Sequence, residues 1–557
     1  VGGIKATVGK PEADEASAYG DSGGDVRPWE STIGRDDAGR EVERFATGGI
    51  RITTDYNDMG LVRSRHVRSG NRHTGWRSYR WDVGARLMSM RGNLSPEPVI
   101  FDYDSMCNLV RGDYSMYESV FRTPDKVGNL YREDGCKGRE YDRGGRLLWD
   151  GEYHYRYDCE GNLVHKSRRD VSVPESGHTE KKGWLGMLFS ADDADKNDNS
   201  LETDPFAGWQ PGDTCYEWQA NGMLAGVRTP DGRTVTFGYD ALGRRVSKRT
   251  GDSVHRFGWD GNVVLHEWDI EEAQRPKLVT DETGREEYDG TEKPANLVTW
   301  VYDGSSFTPV AKVTDRERYT IVHDYLGTPT QAYDSKGELV WEMLLDVYGK
   351  VTECHGDRTL VPFRYQGQYE DEETGLYYNR FRYYSPDMGM YISSDPIGLA
   401  GNNPTLYGYV EDVNLLNDIL GLSKYVIINI LGRKVYQNTT DFVTGVPDFV
   451  DSSVHPSIRA KIQAGATNLD LMKAGNAPIG FDGKPINLHH ILGQEPGAMV
   501  ELAQTTHQKY SKQLHGLIED GQSFRNNPIL AKSYKNFKAN YWKERAKQLS
   551  SIKSKCF

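Results

Sequence analysis

A degenerate repeat, Tyr-Asp-x-x-Gly-x-Leu, constrains the fold of this chain more than any other feature of its sequence. Clear copies begin at Tyr141, Tyr157, Tyr239 and Tyr333, and worn copies surround Tyr103, Trp218 and Trp259. In each copy the Asp side chain can bond the local backbone and the Gly can adopt a positive φ, which predicts a hairpin turn between two strands. Because one hairpin cannot bury its own face, the copies must stack. The repeat therefore predicts a long, continuous antiparallel sheet that coils into a hollow shell with few open edges.

The composition agrees with a β-rich chain and excludes other classes. Among 557 residues there are 60 Gly, 23 Pro and 33 Tyr, which favours short turns between aromatic strands over a helical bundle. No stretch approaches the roughly 20 apolar residues of a membrane-spanning helix. The six Cys form no CxxC pair, so neither a zinc ribbon nor a small disulfide scaffold is indicated.

Composition also divides the chain into segments. Repeat-like sequence extends over residues 1–361, with an insertion at about 171–213 that is rich in Asp, Asn, Gly and Pro. Residues 423–557 are Lys-rich and helix-compatible, and we expect them to form a separate domain. They contain 18 Lys or Arg and 10 Asp or Glu, a net charge of +8, whereas residues 1–422 carry −21. This asymmetry suggests a polyanionic partner for the basic domain, although acidic and basic domains also occur together by chance.

The segment that closes the repeats carries a family resemblance. It extends from Pro362-Phe-Arg-Tyr-Gln-Gly-Gln-Tyr369 to Ser394-Asp-Pro-Ile-Gly-Leu399. Residues 362–422 resemble the core of the Rhs/YD-repeat family. The resemblance implies a mainly β protein in which a YD-repeat cocoon encloses a variable C-terminal toxin, as in bacterial polymorphic toxins and the C components of Tc toxins. Some shells of this family serve adhesion instead.

Two aspartates in this core are similar to the aspartyl autoprotease of the family. Asp395 and Asp418 each begin a short motif that ends in Gly-Leu, and the resemblance implies a cut between Leu422 and Ser423. Two close carboxylates can share a proton, so that one activates water and the other donates to the peptide carbonyl. Ile419 stands where the family usually has Pro. The alternative is that both aspartates are turn or cap residues.

The C-terminal domain is distinguished by its histidines. Four of them, His489, His490, His507 and His515, lie close together in the sequence. Adjacent histidines on a strand point to opposite faces, so one could bind a cation while the other takes a proton from water. Structural hydrogen bonding is the alternative role for each histidine.

Leu488-His489-His490 with its two downstream histidines resembles the LHH nucleases of the HNH/endonuclease VII superfamily, which implies a small α+β domain with a ββα-metal core. The resemblance implies that His489 binds a divalent metal and that His490 is the general base. One straight helix would place His507 and His515 about 12 Å apart and about 80° apart around its axis, too far to share one ion. We therefore expect His515 to be the second ligand and His507 to assist catalysis. Mg, Mn, Zn and Ni all remain candidates for the metal.

Further residues are expected to support this site. Asn487 and Glu501 are candidates for orienting the ligands from outside. The C-terminal tail interleaves aromatic residues with cations, and we expect phosphate contacts from Lys535, Lys538, Lys543 and Arg545. A solvated helix face is the alternative for these cations.

These features predict an antibacterial effector toxin whose cocoon encapsulates a metal-dependent DNase. The alternatives are an RNase cargo, or an adhesive or structural shell with an inactive C-terminal binding module. The toxin interpretation implies a cognate immunity protein, contact between shell and cargo, and delivery from the bacterial cytoplasm into a target cell. Because the chain begins at Val1 within the repeat pattern, we expect the parts that meet a secretion-system spike to lie upstream.

Overall fold

The computed structural model describes most of the chain. The described residues are 2–6, 28–115, 118–171, 206, 208–280, 285–304, 306–396, 405–422, 425–431, 433–438, 442, 444–447, 449–490, 495–496, 499–509 and 523–553. Most of the predicted insertion lies outside them, as do Ser423 and His515. Within the described part, no helix is both long and apolar enough to cross a membrane.

The repeat region consists of antiparallel strands whose spatial order follows their order in the chain. A ten-stranded sheet contains β1 (Gly2–Ala6), β2 (Trp29–Arg35), β3 (Glu41–Ala46), β4 (Ile50–Tyr56), β5 (Val62–Ser69), β6 (Arg72–Trp81), β7 (Leu87–Gly92), β8 (Val99–Tyr103), β9 (Leu109–Ser115) and β10 (Glu118–Phe121). A short hairpin of β11 (Thr123–Pro124) and β12 (Leu130–Tyr131) follows.

A sixteen-stranded sheet continues the chain. Its first ten strands are β13 (Glu140–Tyr141), β14 (Leu147–Trp149), β15 (His154–Tyr157), β16 (Leu163–Ser167), β17 (Thr214–Trp218), β18 (Leu224–Arg228), β19 (Thr234–Tyr239), β20 (Arg245–Thr250), β21 (Ser253–Asp260) and β22 (Val263–Glu271). A 3-10 turn (Glu272–Gln274) leads to a separate hairpin, β23 (Leu278–Thr280) and β24 (Glu286–Tyr288). The last six strands are β25 (Ala295–Tyr302), β26 (Pro309–Thr314), β27 (Arg318–His323), β28 (Pro329–Tyr333), β29 (Leu339–Leu345) and β30 (Val351–His355).

The repeat forms its predicted hairpin turn. In the copy at Tyr141, Asp142 Oδ1 accepts from the backbone amides of Gly144 (2.8 Å) and Arg146 (2.9 Å), and Gly145 has a φ of 79°. The strand register shifts at Tyr141, which marks a bulge at the strand end. Other repeat aspartates likewise accept from the amide four residues later, among them Asp82, Asp104, Asp158 and Asp240.

The aromatic residue of many copies ties its turn to an earlier strand. Tyr239 Oη donates to the carbonyl of Leu224 (2.8 Å) and Trp259 Nε1 donates to the carbonyl of Arg245 (2.7 Å). The same bond recurs at Tyr56, Trp81, Tyr103, Trp218 and Tyr302. The aromatic position is therefore a hydrogen-bond donor to the preceding repeat as well as an apolar contact.

The mainly β fold with a small α+β domain at its C-terminus is confirmed, but the expected single continuous sheet is divided in two. The break falls at β11 and β12, which pair over only two residues each. Pro124 in β11 has no amide hydrogen to donate to a neighbouring strand, so the ladder cannot extend there.

The core segment is packed between the two large sheets. After a 3-10 turn (Arg358–Leu360), it forms a four-stranded sheet of β31 (Tyr369–Asp371), β32 (Leu376–Asn379), β33 (Arg382–Ser385) and β34 (Met390–Tyr391). Successive strand residues point to opposite faces. Tyr378 and Tyr383 pack with residues of the sixteen-stranded sheet, whereas Tyr377 and Tyr384 pack with residues of the ten-stranded sheet. Both faces are buried, which explains the nearly continuous aromatic sequence of these strands.

The C-terminal domain is a small sheet covered by helices. It contains β35 (Tyr425–Ile430), β36 (Arg433–Asn438), α1 (Pro456–Gln463), α2 (Asn468–Lys473), β37 (Asn487–His490), β38 (Met499–Leu502), α3 (Gln504–Lys509), a 3-10 turn (Phe524–Asn526) and α4 (Pro528–Lys553). The strand order is β35-β36-β38-β37, and β36 runs parallel to β38. The face towards α4 buries Leu488, Met499 and Trp542 in one apolar cluster.

The other face of this sheet contacts the shell. Val500 and Leu502 of β38 are buried in one apolar cluster with Ile419, Leu420 and Leu422, and with residues of the repeat sheet. His489 lies directly opposite Val500 in the strand register, so both side chains are on this face.

Candidate active sites

Arg382 brings the two predicted protease aspartates together. Its Nη2 lies 3.0 Å from Asp395 Oδ2 and 3.3 Å from Asp418 Oδ2, and all three side chains are buried. Sequence reasoning identified both carboxylates but missed the arginine. The sequence does contain a clue to this arginine. It lies in the aromatic sequence of β33, where it is expected to be buried, and a buried cation needs anionic partners.

Leu422, the last residue before the predicted cut, lies beside this cluster. The backbone amide of Leu422 donates to Asp418 Oδ1 (2.9 Å), and Arg382 Nε donates to the carbonyl of Gly421 (2.5 Å). Tyr391 Oη also donates to Asp418 Oδ2 (2.9 Å). The Asp418 carboxylate thus accepts from Leu422, Tyr391 and Arg382 Nη2, and its two oxygens can accept from all three at once. The peptide on the N-terminal side of Leu422 is therefore held against the pair of acids.

Ile419, the departure from the family pattern, is fully buried in this segment. Gly367 has a φ of 86° and packs directly against the carbonyl of Ile419, where a Cβ would collide with it. Asn379 Nδ2 donates to the carbonyl of Asp418 (2.8 Å). Backbone contacts thus seat residues 418 and 419 without a proline.

In the C-terminal domain, α3 places His507 beside His489. His507 Nε2 lies 3.2 Å from His489 Nδ1. Two imidazole nitrogens at about 2.0–2.1 Å from one tetrahedral ion would be roughly 3.4 Å apart, so this spacing fits two ligands of a shared ion as well as a shared proton. Among the described side chains, no group of three His, Cys, Asp or Glu residues could hold a metal. This placement favours His507, predicted from the sequence to assist catalysis, as the residue that would share a metal ion with His489. His515, the predicted second ligand, lies outside the described residues.

His490 points to the opposite face and is paired with a carboxylate. Its Nε2 lies 2.6 Å from Glu495 Oε2, and its ring packs against those of Phe524 and Tyr534. Burial lowers the pKa of His490, and this outweighs the opposite effect of Glu495. The imidazole is therefore neutral at neutral pH and can accept a proton. Sequence reasoning missed Glu495, although it follows His490 by only five positions.

The residues predicted to orient the ligands lie on different faces. Asn487 Nδ2 donates to Gln504 Oε1 in α3, the helix that carries His507. Glu501 is fully buried towards α4, where it accepts from Tyr541 Oη (2.5 Å). It is opposite Leu488 in the register and so points away from the face of His489.

The four predicted phosphate-binding cations differ in exposure. Lys535 and Lys543 are exposed. Lys538 is half-buried with its Nζ over the ring of Tyr534, and burial lowers its pKa. The interpretation of Arg545 needs correction, because it is buried and its Nε forms an ion pair with Glu501 (3.3 Å). It holds α4 to the sheet instead of facing solvent.

Comparison with known families assigns both parts of the chain. Residues 467–548 match a family described as a nuclease of the HNH/ENDO VII superfamily with conserved LHH. Residues 207–406 match the Teneurin YD-shell. The chain therefore combines a segment that matches a YD shell with a C-terminal segment that matches LHH nucleases. His489, His490, Glu495 and His507 all lie inside the nuclease match.

Relatives of the YD shell carry different activities in their names. A probable deoxyribonuclease RhsB of Dickeya dadantii is 27% identical over 70% of this chain. Toxin protein Tse5 of Pseudomonas aeruginosa is 36% identical over 59%, and a double-stranded DNA deaminase toxin of Burkholderia cenocepacia is 29% identical over 68%. The chain spans about a quarter of the length of each of these relatives, 24%, 24% and 25%. Similarity in the shell therefore does not identify the activity of the cargo.

A crystal structure of TcdB2-TccC3-TEV was also found to be similar. It is 17% identical, covers 71% of this chain and 22% of its own, and has a TM-score of 0.34. That score is too low for a comparison of folds, so the description of the shell rests on its own sheets.

Proposed function

We propose that this chain is an antibacterial toxin whose YD shell carries a metal-dependent DNase, and that self-cleavage after Leu422 removes the covalent link between the two, as the first step of release. The observation that carries the proposal is the arrangement on β37. His489 faces His507 at 3.2 Å on one side of the strand, and His490 pairs with Glu495 at 2.6 Å on the other. This separates cation binding from proton transfer within the segment that matches the LHH nucleases.

In the proposed hydrolysis, the neutral imidazole of His490 takes a proton from the attacking water. His489 and His507 provide two imidazole nitrogens for a divalent cation. When bound, the cation stabilises the negative charge that develops on the phosphate and on the leaving oxygen. Imidazole ligands suit Zn or Ni, and Mg²⁺ or Mn²⁺ with water ligands stays a candidate.

The exposed cations of α4 are proposed to hold the substrate. Lys535 and Lys543 can contact backbone phosphates, which contributes affinity without reading the sequence of bases. Lys538 lies between them on the helix and is partly covered by Tyr534. DNA is the proposed substrate because residues 467–548 match the LHH nucleases, and the name of the relative RhsB, a probable deoxyribonuclease, agrees with this.

In the proposed self-cleavage, one of Asp395 and Asp418 removes a proton from water while the other donates to the peptide. The water oxygen bonds to the carbonyl carbon of Leu422, the bond to the nitrogen of Ser423 breaks, and that nitrogen leaves as a protonated amine. Arg382 holds the two carboxylates in place and, through Gly421, aligns the peptide. The proposed product is a shell that ends at Leu422.

The proposal includes delivery of the toxin from the producing bacterium into a target cell. A toxin of this kind would be loaded on a secretion spike, and the producing cell would need an immunity protein. Tse5, named a toxin, supports this interpretation by its similarity over more than half of the chain.

The experiment is a cleavage assay with plasmid DNA and with RNA in the presence of Mg²⁺, Mn²⁺, Zn²⁺ or Ni²⁺. Wild-type protein should cut DNA, and His490→Ala should not. His455→Ala is the matched control, because His455 is an exposed histidine of the same domain at the start of α1. Cleavage of RNA alone would support the RNase alternative, and no cleavage of either would support an inactive binding module.

A further inference from the structure

The hairpin of β35 and β36 lies outside the LHH match, which begins at residue 467, yet it belongs to the same sheet. Val435 and Tyr436 of β36 pair with Met499 and Val500 of β38. On its other edge β38 pairs with β37, the strand of His489 and His490. The hairpin therefore extends the sheet that carries the proposed nuclease site.

Arg433, the first residue of β36, reaches into that site. Its Nη1 donates to Glu495 Oε2 (2.9 Å) and its Nη2 donates to Glu495 Oε1 (2.6 Å). The guanidinium lies 4.2 Å from the ring centroid of Phe537 in α4. A two-bond contact of this kind fixes the plane of the carboxylate as well as its position.

Glu495 collects donors from three elements. Besides Arg433 of β36, it contacts Nε2 of His490 in β37 and accepts from Ser533 Oγ of α4 (3.0 Å). Burial would raise the pKa of Glu495, but the hydrogen bonds from Arg433, His490 and Ser533 hold it below its usual value. The carboxylate is therefore ionised, and its contact with His490 places the imidazole hydrogen on Nε2.

We propose that Arg433 and Glu495 are positioning residues that fix the orientation and tautomer of His490, so that Nδ1 is the nitrogen that takes the proton from water. The hairpin is then a working part of the nuclease, although it precedes the family match. This inference rests on the proposed function, because it assumes that His490 is the base.

The test measures kcat and KM for DNA cleavage by the full chain. The variants are Glu495→Gln, Arg433→Met, the double variant, and Arg433→Lys. Each single loss should lower kcat about 10- to 100-fold with little change in KM, as is typical for groups that orient a reacting residue. Because both residues act through one imidazole, the double variant should be no slower than the slower single variant. Arg433→Lys should recover part of the loss, since it keeps the charge but not the two-bond contact.

Lys473→Met is the matched control, because Lys473 is an exposed cation of the same domain. It should leave kcat unchanged. Unaltered kcat in Arg433→Met, or a double variant whose loss is the product of the single losses, would overturn the inference. If Arg433→Met unfolds the domain, Glu495→Gln decides, because it keeps the size of the side chain and removes only the charge.

A second readout is independent of activity. The ¹⁵N spectrum of the His490 ring should show hydrogen on Nε2 in wild-type protein and a mixture of tautomers in Glu495→Gln. A wild-type chain that cuts no nucleic acid would contradict the proposed function, and the ring spectrum would still decide whether Glu495 orients His490. If the wild type and Glu495→Gln show the same tautomer of His490, Glu495 does not fix the tautomer and the inference is wrong.

Discussion

Leu422, the last residue before the predicted cut, and Val500, in the central region of the nuclease sheet, are buried in the same apolar cluster. The strand register places His489 on the same face as Val500. The end of the shell thus covers part of the face that carries the proposed metal ligand. Cutting the chain at Leu422 would leave this contact in place.

We therefore expect the cut nuclease to stay bound until the apolar contact is broken. Val500→Ser should speed its dissociation by on the order of tenfold or more, because burying a valine side chain contributes about 1.5 kcal/mol or more. Size-exclusion chromatography of the cleaved protein measures how much nuclease remains with the shell. Val446→Ser, at an exposed valine of the same domain, is the control. Equal retention of both variants would contradict the expected contact.

Self-cleavage should depend on Arg382 as well as on the two aspartates. Arg382→Met and Asp395→Asn should each slow cleavage about 100-fold or more, since Asp395 is needed to move a proton at the peptide and Arg382 holds both carboxylates in place. Intact-mass measurement detects the fragment that begins at Ser423. Asp412→Asn alters another buried carboxyl of the core segment and should cut normally. If Arg382→Met is processed like the wild type, the arginine has only a structural role.

The placement of His507 predicts a separation between metal binding and catalysis. His507→Ala should weaken binding of Zn²⁺ or Ni²⁺ by more than the 10- to 100-fold typical of a residue outside the ligand set, whereas His490→Ala should leave binding nearly intact. Calorimetric titration with each metal measures the affinity. His515→Ala should be measured in parallel, because the sequence predicts that residue as the second ligand. If His507→Ala binds the metal with normal affinity, His507 is not a ligand and His515 remains the predicted one.

The shell should lose stability as the pH rises from about 6.5 to about 9. Although burial acts in the opposite direction, hydrogen bonds to Asp269 and Glu267 raise the pKa of His255 to about 9. A group whose pKa is raised on folding contributes its full stabilisation below its ordinary pKa and loses it as the pH passes the raised value. Urea unfolding at several pH values should show this loss in wild-type protein but not in His255→Gln. His266→Gln is the control, because burial lowers the pKa of His266 and it cannot cause a loss in this range.

The repeat turn should tolerate a side chain at one glycine and not at its neighbour. Gly145 has a φ of 79°, and a Cβ there would lie 3.2 Å from Asn129 Oδ1 and from Thr405 Cβ. Gly145→Ala should therefore lower the free energy of unfolding by about 1 kcal/mol or more. Gly144→Ala, where a Cβ would lie 3.4 Å from Asp142 Oδ1, should have a smaller effect. Comparable shifts in the urea midpoint of the two variants would contradict the role assigned to Gly145.

Features encoded by adjacent residues could be predicted, and features that depend on distant partners could not. The turn at Asp142 is formed within four residues, so the repeat alone indicates it. Arg382 is 36 positions from Asp418, and Arg433 is 62 positions from Glu495. No pattern of neighbouring residues predicts these ion pairs, because the packing of distant strands brings the partners together. Arg545 was misjudged for the same reason: its partner, Glu501, lies in another element.

In the bonds that the repeat aromatics donate to backbone carbonyls, the acceptor precedes the donor in the sequence. Tyr239 bonds to a residue 15 positions before it, and Trp259 to one 14 positions before it. A turn with such a bond can therefore be secured soon after it leaves the ribosome, because its partner has already been made, and contacts of short sequence separation form quickly. The shell can fold in the order of its synthesis, and the nuclease domain, which is translated after the shell, emerges beside strands that are already paired.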